Sequence, residues 1–206
     1  MRRRRAAEPI WQRHLVIFCK EPVAGRVKSR LSATVGTVEA TRFQRVVLNR
    51  LVRQLHRDPR WTTWLAVTPD TACRSRLLPS GPRRLTQGRG DLGQRMQRVF
   101  DQLPPGPAMI VGSDVPGITP DHIDNGFRAL GVSDAVMGPA PDGGYWLIGL
   151  RRHPRVLRPF ADVRWSTQFA MDDTKYNLKG NYISIIQLLR DVDDHVDWRL
   201  WRRGEL

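Results

Sequence analysis

Cysteine is nearly missing from this sequence, with only Cys19 and Cys73 present. Two cysteines make no disulfide framework, and neither has metal-ligand spacing around it. Cys19 lies inside an apolar run and reads as a small buried hydrophobe, which points to a reducing compartment. Long hydrophobic runs are missing too: none approaches the roughly 20 apolar residues that span a bilayer. The apolar stretch 15–18 is too short for a signal-peptide core. Histidines are few, at 5, and show neither metal spacing nor a Ser–His–Asp order. The GxxxxGK[ST] and GxGxxG phosphate loops are also absent. Together these absences exclude a disulfide-stapled secreted module and a helical membrane protein, and a cytoplasmic location is expected.

Acidic residues are in short supply, 20 against 34 lysines and arginines, and the formal net charge is +14. Such an excess attracts polyanions: nucleic acid, anionic membrane or phosphorylated ligands. The plain alternative is a solvated basic surface. Arg2, Arg3, Arg4 and Arg5 mark a basic arm over residues 1–13. Residues 14–206 suit one domain, large enough to bury a core without staples.

Apolar runs alternate with helical patterns along the chain. Strands are expected at 14–20, 62–68, 84–87, 108–112, 134–138, 145–150 and 182–189. Between 37 and 56 the residues Phe43, Val47, Leu51 and Leu55 form an amphipathic stripe, with Thr37 as the expected N-cap. Further helices are expected over 71–78, from about Asp91, from Pro120 to about Leu130, near 167–178, and in the tail from Asp193. Thr119, Pro120 and Asp121 supply a cap, a first-position proline and a first-turn acid. Strand–helix alternation with few tight hairpins predicts an α/β fold: a mostly parallel central sheet with helices on both faces.

Ligands of open α/β sheets bind beyond the carboxyl ends of the strands, so the segments following strands carry the candidate chemistry. After the first strand come Lys20, Gly25, Arg26, Lys28 and Arg30. Gly25 lets backbone approach a phosphate, and the cations can neutralise a diphosphate. Asp114 follows the fourth strand in a Gly/Pro-braced turn and is placed to hold Mg²⁺ or Mn²⁺. The other reading of Asp114 is a turn-former or cap. Asp142, Gly143 and Gly144 join two strands, which suits a turn as well as a site. Asp191 and Asp193 alternate along an extended segment and face one way, fit either for metal or for a solvated helix start. Trp165, Ser166 and Thr167 could stack on a ring or bond a hydroxyl. Trp198 and Trp201, at helical spacing, are read first as packing onto the domain and second as an oligomer contact.

Six blocks occur in order: LVIFCKEPVAGRVKSRL, QGRGDLGQRM, VGSDVPGITP, GPAPDGGYWLIGL, WST and DVDD. The set resembles a bacterial family of small GT-A-like proteins, formerly a domain-of-unknown-function family. Some of its members are called arsenosugar-biosynthesis glycosyltransferases. It is similar to 2-phospholactate guanylyltransferases and, more distantly, to molybdenum-cofactor nucleotidyltransferases. The likeness runs from about His14 to about Asp197.

The resemblance implies a Rossmann-like nucleotide-diphospho-sugar transferase fold with one Mg²⁺ or Mn²⁺ site. It also implies an enzyme whose partners are a nucleotide or nucleotide-sugar and a small-molecule acceptor. Lys20, Arg26, Lys28 and Arg30 would line the nucleotide phosphates. Asp114, with Asp191 and Asp193, would hold the metal. Asp142, as a candidate base, and Trp165, Ser166 and Thr167 would face the acceptor. Ser29 departs from an expected threonine, and Asp194-His195-Val196-Asp197 from a more usual Thr-Pro-Glu-Asp. The expected reaction is glycosyl transfer. Nucleotidyl transfer to a phosphorylated small molecule is the first alternative, and a non-catalytic basic nucleic-acid-binding module the second.

Overall fold

The computed structural model describes residues 11–206. Most of the basic arm therefore lies outside the described residues. Among the described residues seven strands form one sheet: β1 (His14–Lys20), β2 (Thr62–Thr68), β3 (Arg83–Thr86), β4 (Ala108–Gly112), β5 (Ala135–Pro139), β6 (Tyr145–Leu150) and β7 (Ile183–Ile185). Their order is β3-β2-β1-β4-β6-β5-β7. Pairing is parallel for β1 with β2 and β4, β2 with β3, and β5 with β7. Only β6 runs against its neighbours, β4 and β5. The carboxyl ends of β1 to β5 and β7 therefore share one rim, where the β5–β6 turn also lies.

The helices are α1 (Ser29–Val35), α2 (Thr37–Leu55), α3 (Leu92–Gln102), α4 (Pro120–Ala129), α5 (Ala170–Asn177) and α6 (His195–Arg203). The twofold alternation of β1 sorts its side chains between two cores. Leu15, Ile17 and Cys19 pack with Leu48, Leu51 and Leu55 of α2 and Ile123 and Phe127 of α4. Val16 packs on the other face with Met96, Val99 and Phe100 of α3 and Met171 of α5. Burial pushes the Cys19 thiol up to about 12, so it stays a protonated core side chain. A third cluster joins Leu31 of α1, Phe43 and Val47 of α2, and Val192, and Trp198 and Trp201 of α6 pack against it. The tail tryptophans thus pack onto this domain, the first of the two readings.

Several expected bounds shift. Gly36, with φ +85°, is the residue before α2, and Thr37 is the first helical residue rather than the cap. A positive φ is cheap for glycine, so the chain breaks there and leaves the short α1 ahead of α2. The helix expected at 71–78 is a single 3-10 turn, Asp70–Arg74. The strand expected over 182–189 shrinks to three residues, and beyond Ile185 the chain carries Leu189 into the core. Ile186 and Leu189 still donate backbone hydrogen bonds to Met137 and Pro139. Among the described residues no helix is long and apolar enough to cross a membrane.

Candidate active site

Three carboxylates meet at the rim. Asp114 follows β4, and Asp191 and Asp193 follow β7. Each offers an oxygen, and these lie within 4.8 Å of one another. Two contacts assemble them. Val192, fully buried, plugs the third cluster and leaves the aspartates on either side of it turned to the cleft. Its N–H also donates to the Asp114 carbonyl at 3.1 Å, tying the late segment to the β4 loop. In the same loop, Gln44 of α2 donates to the Ser113 hydroxyl at 3.0 Å, and both are buried.

The ammonium of Lys28 stands among these carboxylates. Its Nζ lies 2.7 Å from Asp114 Oδ2 and 2.7 Å from Asp193 Oδ1. Lys28 holds a left-handed backbone (φ 48°, ψ 54°) just ahead of α1, a conformation that costs a non-glycine residue free energy and tends to collect at functional sites. Burial disfavours its charge, but the Asp114 and Asp193 carboxylates outweigh that and hold its pKa above the ordinary value. Asp191 responds in the opposite sense. Burial first, then the charges of Asp114, Asp193 and Asp142, push its carboxyl up to about 6, with Lys28 opposing.

Two cavities and a connecting groove open around this centre. One, of about 590 Å³, lies over the ends of β1, β2 and β4 and is lined by Lys20, Arg26, Lys28, Gln87, Arg95 and Asp114, among others. On the other side, a cavity of about 370 Å³ is lined by Lys28, Arg30, Asp142, Ser166, Thr167 and Asp193, with Ser29 and Gln168. A groove of about 310 Å³ between β4 and the β5–β6 turn touches Asp114, Asp191, Asp193, Asp142, Gly144 and Trp165.

Most of the residues singled out in the sequence therefore converge. Arg30 faces the second cavity rather than the first, with Nη1 3.9 Å from Asp193 Oδ2. Gly25 does not line either cavity; it forms an exposed turn at φ +77°. Gly143 also stays out of the lining and acts on structure instead. It has φ +83°, and a Cβ there would run into the Gln168 backbone. Its carbonyl accepts from Met171 N–H at 3.1 Å, so the β5–β6 turn and the 165–168 loop are held together. Asp142 Oδ1 accepts from Gly144 N–H at 2.9 Å. Trp165 meets Tyr145 edge-on, with ring centroids 6.4 Å apart.

The residues that sequence reading passed over are Gln44, Gln87 and Arg95. The first two are buried polar side chains, detectable only as polar positions on faces that otherwise look apolar. Arg95 lies one turn into the helix that QGRGDLGQRM opens, a block that carries part of the resemblance but in which no residue was given a role in the site.

The donor set fits a hard divalent cation: three carboxylate oxygens in one small volume, with a protein cation already drawn between two of them. The fold is that of the nucleotide-diphospho-sugar transferases. A candidate nucleotide-diphospho-sugar transferase from Desulfovibrio desulfuricans G20 superposes with a TM-score of 0.83 at 25% identity, covering 94% of this chain and 87% of that one. The 4-diphosphocytidyl-2C-methyl-D-erythritol synthase of Anaerococcus prevotii DSM 20548 has a TM-score of 0.61 at 7% identity, covering 95% and 98%. Glucosyl-3-phosphoglycerate synthase from Mycobacterium tuberculosis, in complex with Mn²⁺, UDP and glucosyl-3-phosphoglycerate, gives 0.59 at 9%, covering 92% and 75%. No curated protein matches the sequence. The chain belongs to the family described as an uncharacterized protein conserved in bacteria, DUF2064, whose model matches residues 51–167.

Proposed function

We propose that this protein is a metal-dependent transferase that takes a nucleotide-sugar donor and passes the sugar to a small-molecule hydroxyl acceptor. The observation that carries the reading is the Asp114, Asp191 and Asp193 cluster set between two polar cavities, with Lys28 at its centre. In this reading the donor's nucleoside lies in the cavity over β1 and β2, and its diphosphate meets Lys20, Arg26 and Lys28. Asp114, Asp191 and Asp193 hold Mg²⁺ or Mn²⁺, which supplies positive charge beside the diphosphate as negative charge builds on the departing phosphate.

The acceptor occupies the second cavity, where the Ser166 and Thr167 side chains and the Gln168 amide suit a hydroxylated molecule. Asp142, its carboxylate steadied by Gly144 N–H, takes the proton from the attacking hydroxyl. The bond from the anomeric carbon to the phosphate oxygen breaks, and the electron pair leaves with the nucleoside diphosphate. Lys28 stays within reach of that charge.

Thermal-shift titration with UDP-, GDP- and ADP-sugars, with and without Mn²⁺, tests the reading. Stabilisation is expected only with metal present, and Asp114→Ala is expected to abolish it. Stabilisation by donor without metal, unchanged in Asp114→Ala, contradicts it. Release of pyrophosphate from a nucleoside triphosphate on adding a phosphorylated acceptor would make the reaction nucleotidyl transfer instead. Salt-sensitive DNA binding that survives removal of residues 1–8 would favour the nucleic-acid module.

A further inference from the structure

Resting on the donor site just proposed, we infer that Arg95 reads the donor's nucleobase and selects one with a carbonyl oxygen where adenine carries its amino group, guanine or uracil, over adenine. The argument begins with Gln87, at the end of β3 and only 2% exposed. Its Nε2 donates to the Cys19 carbonyl at 3.1 Å and the Ala66 carbonyl at 2.8 Å. Both amide hydrogens are thereby spent on the backbones of β1 and β2. This fixes the side chain's orientation and leaves Oε1 to face outward as an acceptor. Arg95 fills that acceptor, with Nη1 donating to Gln87 Oε1 at 3.1 Å.

The guanidinium is also held at its base. Nε donates to the Asp91 carbonyl at 3.3 Å, and Asp91 caps α3 through a reciprocal capping box with Gln94. Among the described residues no carboxylate pairs with Arg95, and no hydrogen bond engages Nη2. The result is a donor-only edge, fixed in direction and lining the larger cavity.

Its position matches the base rather than the phosphates. Asp114 follows β4, whereas Gln87 bridges β1 and β2. β1 is one inter-strand spacing from β4 and β2 is two, so the offset lies between them, about 5–10 Å. A ribose spans such a gap between a metal-bound diphosphate and a base.

An arginine edge offers hydrogens and accepts none. Guanine presents O6 and N7 to it and uracil a carbonyl, whereas adenine puts an amino group at the equivalent position of its pairing edge. Against Arg95 that amine is an unmatched donor. A site built to bond a group strongly rejects an analogue that lacks it.

The test measures binding of GDP, UDP and ADP, each with Mn²⁺, to wild type and to Arg95→Ala and Arg95→Lys. Arg95 lies on the half-exposed side of α3, where alanine favours the helix, and melting temperatures check the fold of both variants. GDP or UDP is expected to bind at least about tenfold more tightly than ADP to wild type. Which of the two is favoured names the base. Arg95→Ala is expected to erase that preference and change ADP affinity by less than about threefold. Arg95→Lys, which keeps the charge but loses the planar fork, is expected to recover only part of it.

The inference is overturned if ADP binds wild type as well as the better of GDP and UDP. It is equally overturned if Arg95→Ala weakens all three alike, which would make Arg95 a phosphate contact. In both cases the donor-site reading stands. Failure of any nucleotide to bind wild type removes the donor site itself, and this inference with it.

Discussion

At the scale of single residues, the site sets four carboxylates near one lysine. Asp191 is the carboxylate that loses most from that crowding. Its pKa is pushed up to about 6 from an ordinary 3.8, by burial and then by Asp114, Asp193 and Asp142. A carboxyl whose folded pKa is raised binds its proton more tightly in the folded state than in the unfolded one. Its contribution to stability is complete below the unfolded value and is lost as pH rises through about 6. Metal-free protein is therefore expected to lose stability between about pH 4 and pH 6 through this residue, and urea titrations of Asp191→Asn should show that part of the profile flattened. Metal needs the ionised form. Mn²⁺ affinity is accordingly expected to fall up to about tenfold per pH unit below the Asp191 pKa, read by isothermal titration.

The elements that set this geometry differ in how well the sequence displays them. The strands β1, β2, β4 and β6 fall where their apolar runs fall, because a strand buried on both faces writes its length directly into hydrophobicity. The run from Tyr182 to Leu189 looks alike, yet three residues of it form β7. Past Ile185, Ile186 and Leu189 pack against the core outside the ladder, and composition does not separate that from a longer strand. Asp191 and Asp193 were legible as a pair facing one way. Their meeting with Asp114 and Lys28 was suggested only by resemblance, since Lys28 and Asp193 are 165 positions apart. Arg95 was not legible at all, because its role depends on where Gln87 spends its hydrogens.

Glycines give a further test at this scale. Gly25 and Gly143 both have positive φ, but a side chain on Gly25 meets nothing within 4 Å, whereas one on Gly143 meets the Gln168 backbone. Gly25→Ala is expected to cost about 1 kcal/mol. Gly143→Ala should cost about 2–3 kcal/mol and loosen the 165–168 loop. Denaturant melts and hydrogen exchange across that loop would separate the two.

Across the whole molecule, the sheet alone does not complete the cleft. The segment after β7 crosses back over the rim and is held by α6. Trp201 meets Phe43 of α2 edge-to-face, with ring centroids 4.8 Å apart, beside the buried Val192. Trp201→Ala is expected to cost about 2 kcal/mol, less than for a fully buried tryptophan. It is also expected to weaken Mn²⁺ binding with little change in the sheet's circular dichroism, since Asp191 and Asp193 lose the anchor that sets their position. A variant that melts earlier yet binds Mn²⁺ with wild-type affinity would separate α6 from the site.

That crossing also orders events during synthesis. Six of the seven strands and both faces of the sheet are encoded before residue 180, but two of the three clustered carboxylates are encoded after residue 190. A ribosome that has translated only the earlier part carries a nearly complete sheet in which Asp114 and Lys28 face each other without their later partners. If the three carboxylates hold a cation as proposed, its capture awaits the final strap, and the growing chain lacks two of its three ligands until then.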